Sequence, residues 1–406
     1  MIFRCKFFRL RRAAACTAAL LMSLCCAVQF YAHSLPDHFY TDADRPISVT
    51  TALPVTLISR KPSVPQGLEA ELRLFGMFPV KTVTLTPLES ANVWIGGEPF
   101  GIRMLMAGVM VISLSEVQTP DGSQCPAADA GIRTGDIIEA VSGRRITSND
   151  DIQQAVADSG GNAVAVDIRR DNMQKTISVK PAYDPDTKRW LTGLWVRDST
   201  AGIGTVTYYA RSESGQIAFA GLGHAVCDTD TGAQIPLASG DVIAVSVRDI
   251  VSGHAGKPGE LLGKFEIGDS IGTLSANTSC GIFGTLAQLP QKQISVPLGF
   301  RQDIRRGEAV MYTTLNGTSP QPYSIEIEEI RGEDTAFRNL VIHVTDPELL
   351  QNAGGIVQGM SGSPILQNGR LIGAVTHVFV RDPTRGYGIF AENMFAQTAS
   401  LAASAA

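Results

Sequence analysis

The chain has 406 residues and a mass of 43.2 kDa, which is more than a single domain usually needs. Hydrophobic residues account for 44% and charged residues for 18%, so the composition excludes a mainly disordered chain. The formal net charge is −5 and no basic block follows the first dozen residues, so we expect no nucleic acid partner. The 40 glycines and 21 prolines favour turns and short strands over long helices.

The N-terminus has the pattern of a secretory signal. Five cations precede an uncharged run over residues 13–32, namely Arg4, Lys6, Arg9, Arg11 and Arg12. A basic region followed by an apolar one is typical of a signal peptide or signal anchor, which we predict for residues 1–33. A buried core helix would leave the clustered cations unexplained. No later stretch reaches the roughly 18 apolar residues of a span, so we expect the rest of the chain to lie outside the membrane.

Residues 34–90 are predicted to form a stalk and a β-hairpin. The segment 35–66 is rich in proline and polar residues, which indicates an extended linker open to proteolytic nicking. From Glu69 to Thr86, apolar and polar residues alternate on both sides of a turn, which predicts the hairpin.

The cysteines and glycines give no sign of a bound metal or nucleotide. Beyond the N-terminal segment only Cys125, Cys227 and Cys280 remain, without CxxC spacing, so neither a zinc site nor a disulfide framework is predicted. The chain also has no P-loop or dinucleotide fingerprint. We therefore expect no metal and no cofactor.

Residues 91–182 resemble a PDZ domain. The resemblance is carried by a loop and strand at 99–104, a strand at 108–114, a helix and Gly-Asp turn within 125–146, and a capped helix from Ser148 to Ala157. It implies that the domain binds a peptide terminus by strand addition, with backbone N–H groups at Phe100, Gly101 and Ile102 holding the carboxylate. The alternative is a module that only spaces and orients its neighbour.

Residues 183–400 form short alternating runs between regular turn signals, which predicts an all-β domain. Near its end, residues 359–364 read Gly-Met-Ser-Gly-Ser-Pro before a hairpin. A nucleophilic Ser361 needs a tight turn, and the glycines let the N–H groups of Gly359 and Ser361 converge as an oxyanion hole. Met360 stands where chymotrypsin-like enzymes usually carry aspartate. Taken alone, the hexapeptide is equally consistent with an ordinary turn.

His224 is the first candidate for a general base. It follows an apolar strand and has small neighbours, Gly223 and Ala225, which leave room for the imidazole to face a cleft. Its distance from Ser361 along the chain suits a two-barrel serine peptidase that takes one residue from each half. His377, at the end of the strand after the serine turn, is the second choice, and a lone histidine is more often structural.

A serine triad also needs a carboxylate that accepts from the imidazole. Asp346, which follows a strand over 340–344 and lies 15 residues before Ser361, is our candidate. A chymotrypsin-like order would instead place this residue midway between histidine and serine, where Asp269 lies. Asp346 followed by proline is also a typical helix N-cap, and this interpretation is nearly as strong.

These motifs, with several others, resemble the sporulation stage IV B peptidase family of PDZ-containing serine endopeptidases. The resemblance covers about residues 69–395 and rests on residues 193–205, 221–224, 281–284, 354–365 and 373–388. It implies a mainly β chain in which a PDZ domain precedes a chymotrypsin-like two-barrel serine peptidase domain, after an N-terminal signal anchor. In that family the residues matching His224 and Ser361 are catalytic, and the residue matching Asp346 is implicated.

The resemblance also implies a biological role. Such enzymes are exported into the space between the two membranes around the forespore and cleave themselves near the N-terminus. They then cleave a membrane-bound inhibitor of an intramembrane metalloprotease, which releases processing of a late sigma factor. The expected partners are therefore a membrane-anchored protein substrate, the chain's own N-terminal segment, peptide termini at the PDZ domain, and the membrane.

Two other functions compete with this one. A general envelope quality-control protease is disfavoured because its PDZ domain follows the catalytic segment, whereas here the PDZ domain comes first. A non-enzymatic PDZ adaptor is disfavoured because an adaptor has no need of both Ser361 and His224.

Overall fold

The computed structural model describes residues 19, 22–23, 25–32, 35, 37–41, 54–59, 68–88, 92–211, 215–266, 268, 270–290, 294–331 and 338–404. Strands dominate this part of the chain, in agreement with the predicted mainly β class. Most of the predicted signal segment 1–33 lies outside the described residues. Within them, no helix has both the length and the apolar character needed to cross a membrane.

Four strands form a separate N-terminal sheet, in the spatial order β1-β4-β3-β2. They are β1 (His38–Thr41), β2 (Val55–Ser59), β3 (Leu68–Leu74) and β4 (Phe78–Pro87). β3 and β4 are the predicted hairpin. β1 and β2 correct the stalk prediction for part of 35–66, since both are paired strands. They pair because Phe39 and Leu57 reach an apolar cluster on this sheet that also contains Leu72 and Val83.

The rest of the chain adds 23 strands and four short helices. The strands are β5 (Asn92–Ile95), β6 (Pro99–Leu114), β7 (Val117–Thr119), β8 (Gly122–Gln124), β9 (Ile137–Val141), β10 (Arg144–Arg145), β11 (Val164–Arg170), β12 (Met173–Val179), β13 (Ala182–Asp184), β14 (Arg189–Leu191), β15 (Leu194–Arg211), β16 (Ile217–Gly221), β17 (Leu237–Val251), β18 (Glu260–Phe265), β19 (Gly272–Thr278), β20 (Gly281–Leu286), β21 (Ser295–Pro297), β22 (Gly307–Thr313), β23 (Gln321–Ile330), β24 (Leu340–Val344), β25 (Pro364–Gln367), β26 (Arg370–Phe379) and β27 (Asp382–Phe390). The helices are α1 (Pro126–Asp129), α2 (Asn149–Asp158), α3 (Pro347–Ala353) and α4 (Ala391–Ser404), with a 3-10 turn at Arg301–Asp303. These counts refer to the described ranges alone.

Six of these strands close into a first barrel. The ring runs β6-β17-β19-β20-β16-β15 and returns to β6. Its interior holds large apolar side chains that are fully or almost fully buried, among them Phe100, Ile102, Val206, Phe219 and Val242. Burying each such side chain stabilises the fold by roughly 1.5–3 kcal/mol, so this core holds the ring closed.

A second closed barrel contains β22, β23, β24, β27, β26 and β25 in that order. Met311, Ile325, Ile342 and Ile365 fill its interior. A separate apolar cluster joins residues of the two barrels, including Tyr208 from the first and Ile389 from the second. The pair of barrels agrees with the two-barrel arrangement predicted for the peptidase domain. The seam between them is where each half can contribute to one site.

A PDZ-like module is attached to the first barrel through β6. Its sheet consists of β12, β11, β9 and the second half of β6, and α2 covers a core that includes Val109, Ile138 and Val156. Ser148 is the N-cap of α2, and a capping box with Asp151 confirms the predicted capped helix. Because the first half of β6 belongs to the barrel, the module and the peptidase domain share one strand. The predicted ranges 91–182 and 183–400 therefore do not separate them.

The predicted peptide-carboxylate loop at Phe100, Gly101 and Ile102 is wrong. These residues lie inside β6, which pairs with β15 on one edge and with β17 on the other. Their backbone groups therefore belong to two strand ladders. Phe100 and Ile102 point into the barrel core, and a Cβ on Gly101 would collide with the ring of Phe265. The Phe-Gly-Ile pattern reflects close packing in a barrel wall rather than a ligand loop.

Replacing Phe100 by alanine tests this correction. Phe100 packs edge-on against Phe219 at 5.6 Å between ring centroids inside the barrel. We expect the Phe100→Ala variant to lose about 3–5 kcal/mol of unfolding free energy, as buried aromatic truncations do. Denaturant unfolding followed by fluorescence measures this loss. A variant of unchanged stability that binds peptides less well would restore the loop interpretation.

Candidate active site

The serine loop lies between α3 and β25, at the seam of the barrels. Gly359 and Gly362 both have φ of +97°, a conformation that favours glycine, so they set the shape of the turn around Ser361. The side chain of Met360 is buried in the core of the second barrel and anchors the loop. Met360 therefore supplies packing at the position where chymotrypsin-like enzymes usually carry a carboxylate.

Along the loop, every second backbone N–H group donates a hydrogen bond. Met360 donates to the Val357 carbonyl at 3.1 Å, and Gly362 donates to the Val375 carbonyl at 2.8 Å. The N–H groups of Gly359 and Ser361 have no acceptor within the described part of the chain. This is the pair that the sequence predicts as the oxyanion hole. An oxyanion hole needs open donors of this kind, and these two lie two residues apart.

Strand β15, which belongs to the first barrel, is hydrogen-bonded to this loop of the second barrel. The Thr205 N–H donates to the Ser361 carbonyl at 2.9 Å, and its hydroxyl donates to the Gly359 carbonyl at 2.7 Å. The Thr207 hydroxyl donates to the Gly362 carbonyl, also at 2.7 Å. Both threonines are buried. Neither threonine was predicted as a site residue. Thr205 lies within the motif 193–205 that resembles the family, but only the long-range pairing of β15 shows that this strand reaches the loop.

His224 sits just beyond the end of β16, on the first-barrel side of the seam. Its Nδ1 lies 2.8 Å from the Ala225 carbonyl, and a carbonyl only accepts, so Nδ1 carries the proton. The neutral imidazole therefore keeps its lone pair on Nε2, as a general base requires. Burial lowers the pKa of His224 below its ordinary value, so the neutral form persists to lower pH than for an exposed histidine.

The histidine loop and the serine loop are packed together. A Cβ added to Gly362 would lie 2.5 Å from the Leu222 nitrogen, and one added to Gly223 would lie 3.0 Å from the Thr376 methyl group. Glycine at position 362 therefore allows the two backbones to approach closely, and glycine at position 223 leaves room for the Thr376 side chain. The structure thus brings His224 and Ser361 to one seam, although they come from different barrels.

A second histidine belongs to this site. The rings of His224 and His377 lie 4.5 Å apart at 41°. Burial, reinforced by the neighbouring His224 and Arg338, lowers the pKa of His377 to about 4, so it is neutral near pH 7. The Ser361 hydroxyl donates to the carbonyl of Thr376, the preceding residue, at 2.6 Å. The hydroxyl is thus bonded to the residue that directly precedes one of the two imidazoles.

The prediction that Asp346 orients the imidazole is corrected by the structure. Asp346 is the N-cap of α3, with Pro347 in the first turn, as the alternative interpretation proposed. Its carboxylate accepts from the N–H groups of Ser324, Glu348 and Leu349. The Nδ1 of His224 already donates to Ala225, so the carboxylate of Asp346 is not its acceptor. Asp269, the other candidate, lies outside the described residues.

A family model described as SpoIVB peptidase S55 matches residues 188–395, just over half of the chain. The chain belongs to the SpoIVB peptidase S55 family. The match includes His224, Ser361 and His377, and it confirms the predicted resemblance to the sporulation stage IV B peptidases. The predicted class, a serine endopeptidase, agrees with this family.

Two further comparisons extend this result. A PDZ domain model matches residues 122–170, which fall within the PDZ-like module and exclude the first half of β6. The Synechocystis sp. protein named "Putative serine protease HhoB" is 33% identical over 109 residues, a span of 26% of this chain. That span covers 24% of the relative's length. Among the described residues, no group of three or more His, Cys, Asp or Glu side chains is arranged to hold a metal ion.

Two substitutions of Asp346 separate capping from catalysis. Asp346→Asn keeps a good N-cap, so we expect stability and kcat/KM per folded molecule to stay near those of the parent chain. Asp346→Ala removes the cap and is expected to lower the unfolding free energy by about 1 kcal/mol. Thermal unfolding and peptide hydrolysis, measured on the same samples, check both. A triad aspartate behaves differently, since its change to asparagine lowers kcat about 10⁴-fold; a loss of that size would restore Asp346 to the triad.

Proposed function

We propose that this chain is a serine endopeptidase with Ser361 as nucleophile and His224 as general base. The observation that carries the proposal is the seam itself. There, a half-buried histidine with its lone pair on Nε2 lies close to a serine loop with two open backbone donors. The family assignment supports the same reaction class.

The reaction uses groups of this chain in a simple sequence. The Ser361 hydroxyl leaves the Thr376 carbonyl and attacks the scissile carbonyl carbon, while His224 Nε2 takes its proton. The negative charge that develops on the substrate oxygen is held by the N–H groups of Gly359 and Ser361. His224 then returns the proton to the leaving amine, and water hydrolyses the acyl-enzyme with His224 again as base. The Ala225 carbonyl keeps the imidazole in the required tautomer throughout.

The proposed first substrate is the chain's own N-terminal region. β1 and β2 are paired within a sheet, and an extended substrate must leave such pairing before it can enter a protease cleft. Self-cleavage is therefore expected in residues 42–53 or 60–67 rather than within either strand. The proposed second substrate is a membrane-bound regulator of an intramembrane metalloprotease, cleaved between the two membranes around the forespore. Family membership and the basic-apolar pattern of residues 1–33 support this location and role.

For the PDZ-like module, we propose a peptide site that differs from the predicted one. Within the described residues, the stretch of β15 at 194–199 pairs only with β6. Its other edge is available beside α2, whose Asn149 N–H donates to the Asp198 carboxylate at 3.2 Å. An extended peptide can add to such an edge. Because β15 continues to Thr205, a peptide bound there would act on the strand that holds the serine loop.

Intact mass spectrometry of the full-length chain over time tests the enzymatic function. We expect the parent chain to shorten by a cut within 42–53 or 60–67, and the Ser361→Ala variant to stay whole. Ser363→Ala is the matched control, because Ser363 is buried in the same loop and has no proposed role. It should shorten like the parent.

The same experiment addresses the competing functions. If the parent and Ser361→Ala chains both stay whole and neither hydrolyses a peptide library, the non-enzymatic adaptor becomes the better account. If the chain cleaves unfolded proteins without sequence preference, a general quality-control protease becomes the better account. The name of the Synechocystis relative agrees with a serine protease and does not separate these cases.

A further inference from the structure

The tip of the β3–β4 hairpin is an exposed apolar patch. Phe75, Met77 and Phe78 are 54%, 67% and 61% exposed, and they follow one another around the turn. Single exposed apolar side chains are normal on soluble proteins, but a contiguous group of three large ones marks an interaction site. We call residues Phe75–Phe78 the apolar tip.

The backbone of the apolar tip is strained in a way that polar residues would relieve. Phe75 has φ of +54° and Gly76 has φ of +70°. Two-residue hairpin turns with two positive φ values favour Asn-Gly, whereas a bulky residue in the first position is uncommon. The turn is nevertheless well defined, since Phe75 N–H donates to the Pro54 carbonyl at 2.9 Å. The sequence thus keeps an aromatic side chain outside the core where folding alone favours asparagine.

The N-terminal segment leaves the sheet at the same end as the apolar tip. β1 runs parallel to β4, with His38 opposite Thr84, so the chain before β1 runs back toward the start of β4. Lys81 Nζ confirms this direction, since it donates to the Leu35 carbonyl at 2.5 Å. Further back, Tyr31 packs on the cluster of the sheet that also includes Val80. The helical residues 25–32 therefore lie toward the tip.

We propose that the apolar tip inserts into the lipid surface of the membrane that the N-terminal segment enters. The helical residues 25–32, which end the uncharged run, lie at the same end of the sheet as the tip, so a membrane that receives this run is in reach of the tip. The two cations nearest the tip, Arg73 and Lys81, are paired with Glu71 and Asp37. Insertion would therefore be driven by burial of apolar side chains, and it would not require anionic lipids.

This contact would orient the catalytic domain on the membrane. The sheet is tied to the peptidase by the hydrogen bond from Gln302 Nε2 to the Tyr40 carbonyl at 2.9 Å, and Tyr40 packs on the cluster between the barrels. In the uncleaved chain, a sheet with two membrane contacts cannot rotate freely about the N-terminal segment. The tip would thus fix how the Ser361 seam faces the membrane before self-cleavage.

Quenching by brominated lipids tests the proposal. The full-length chain carries Ser361→Ala, so that self-cleavage does not remove the N-terminal segment, and is reconstituted with phosphatidylcholine vesicles. Phe75→Trp or, if it folds poorly, Met77→Trp reports on the tip, and the emission of the parent tryptophans is subtracted. The matched control is Val380→Trp, a site 54% exposed on the second barrel. Interfacial apolar groups lie about 5–10 Å into the headgroup and acyl boundary. We therefore expect bromines near the headgroups to quench the tip tryptophan more than bromines near the chain ends, and to leave the control unchanged.

Three results would overturn the proposal. The tip tryptophan could be quenched no more than the control in vesicles that retain the protein. Its emission could shift to the blue without any dependence on bromine, which would mean that protein rather than lipid covers the tip. Alternatively, the protein could fail to associate with the vesicles. None of these readouts uses peptidase activity, so the test is independent of the proposed function.

Discussion

The active site depends on the contact between strand β15 of the first barrel and the serine loop of the second. Thr205 and Thr207 donate to the carbonyl groups of Gly359, Ser361 and Gly362, so these carbonyls face β15. Each such hydrogen bond contributes only about 0.5–1.5 kcal/mol to stability, but an unpaired buried carbonyl would be more costly. With the carbonyls fixed on one side, the N–H groups of Gly359 and Ser361 remain open on the other. The proposed oxyanion hole would thus result from the way the two barrels are joined.

The same joint explains how the proposed base, His224, would be oriented without a carboxylate partner among the described residues. His224 donates to the carbonyl of its own neighbour, Ala225, and stacks against His377, so hydrogen bonding and packing together fix the ring. Asp346 instead stabilises α3, the helix that leads into the serine loop. Its effect on the site is therefore indirect. The long β15 strand also connects the PDZ-like module to the serine loop, because it pairs with the second half of β6 at one end and contacts the loop at the other.

The sequence indicates the candidate nucleophile and base more clearly than the residues that hold them in place. Ser361 and His224 are recognisable because each needs glycine neighbours, and this requirement is local. The role of Asp346 could not be decided locally, since a carboxylate before proline suits both a triad and an N-cap. Phe100–Ile102 resembled a ligand loop because loop and barrel wall share the same small and apolar pattern. Pairing with β15 and β17, which are distant in sequence, decides between them. Thr205 and Thr207 were missed for the same reason.

The rate at which a fluorophosphonate probe labels Ser361 tests the central claim most directly, because the probe needs the nucleophile, its base and the oxyanion hole but no particular substrate. The account predicts one adduct, located on Ser361 by peptide mapping and absent from Ser361→Ala. Labelling of His224→Ala should be about a hundredfold slower or more, the usual contribution of a general base, while Asp346→Asn should label like the parent chain. Equal labelling of the parent and His224→Ala chains, or an adduct on another serine, would contradict it.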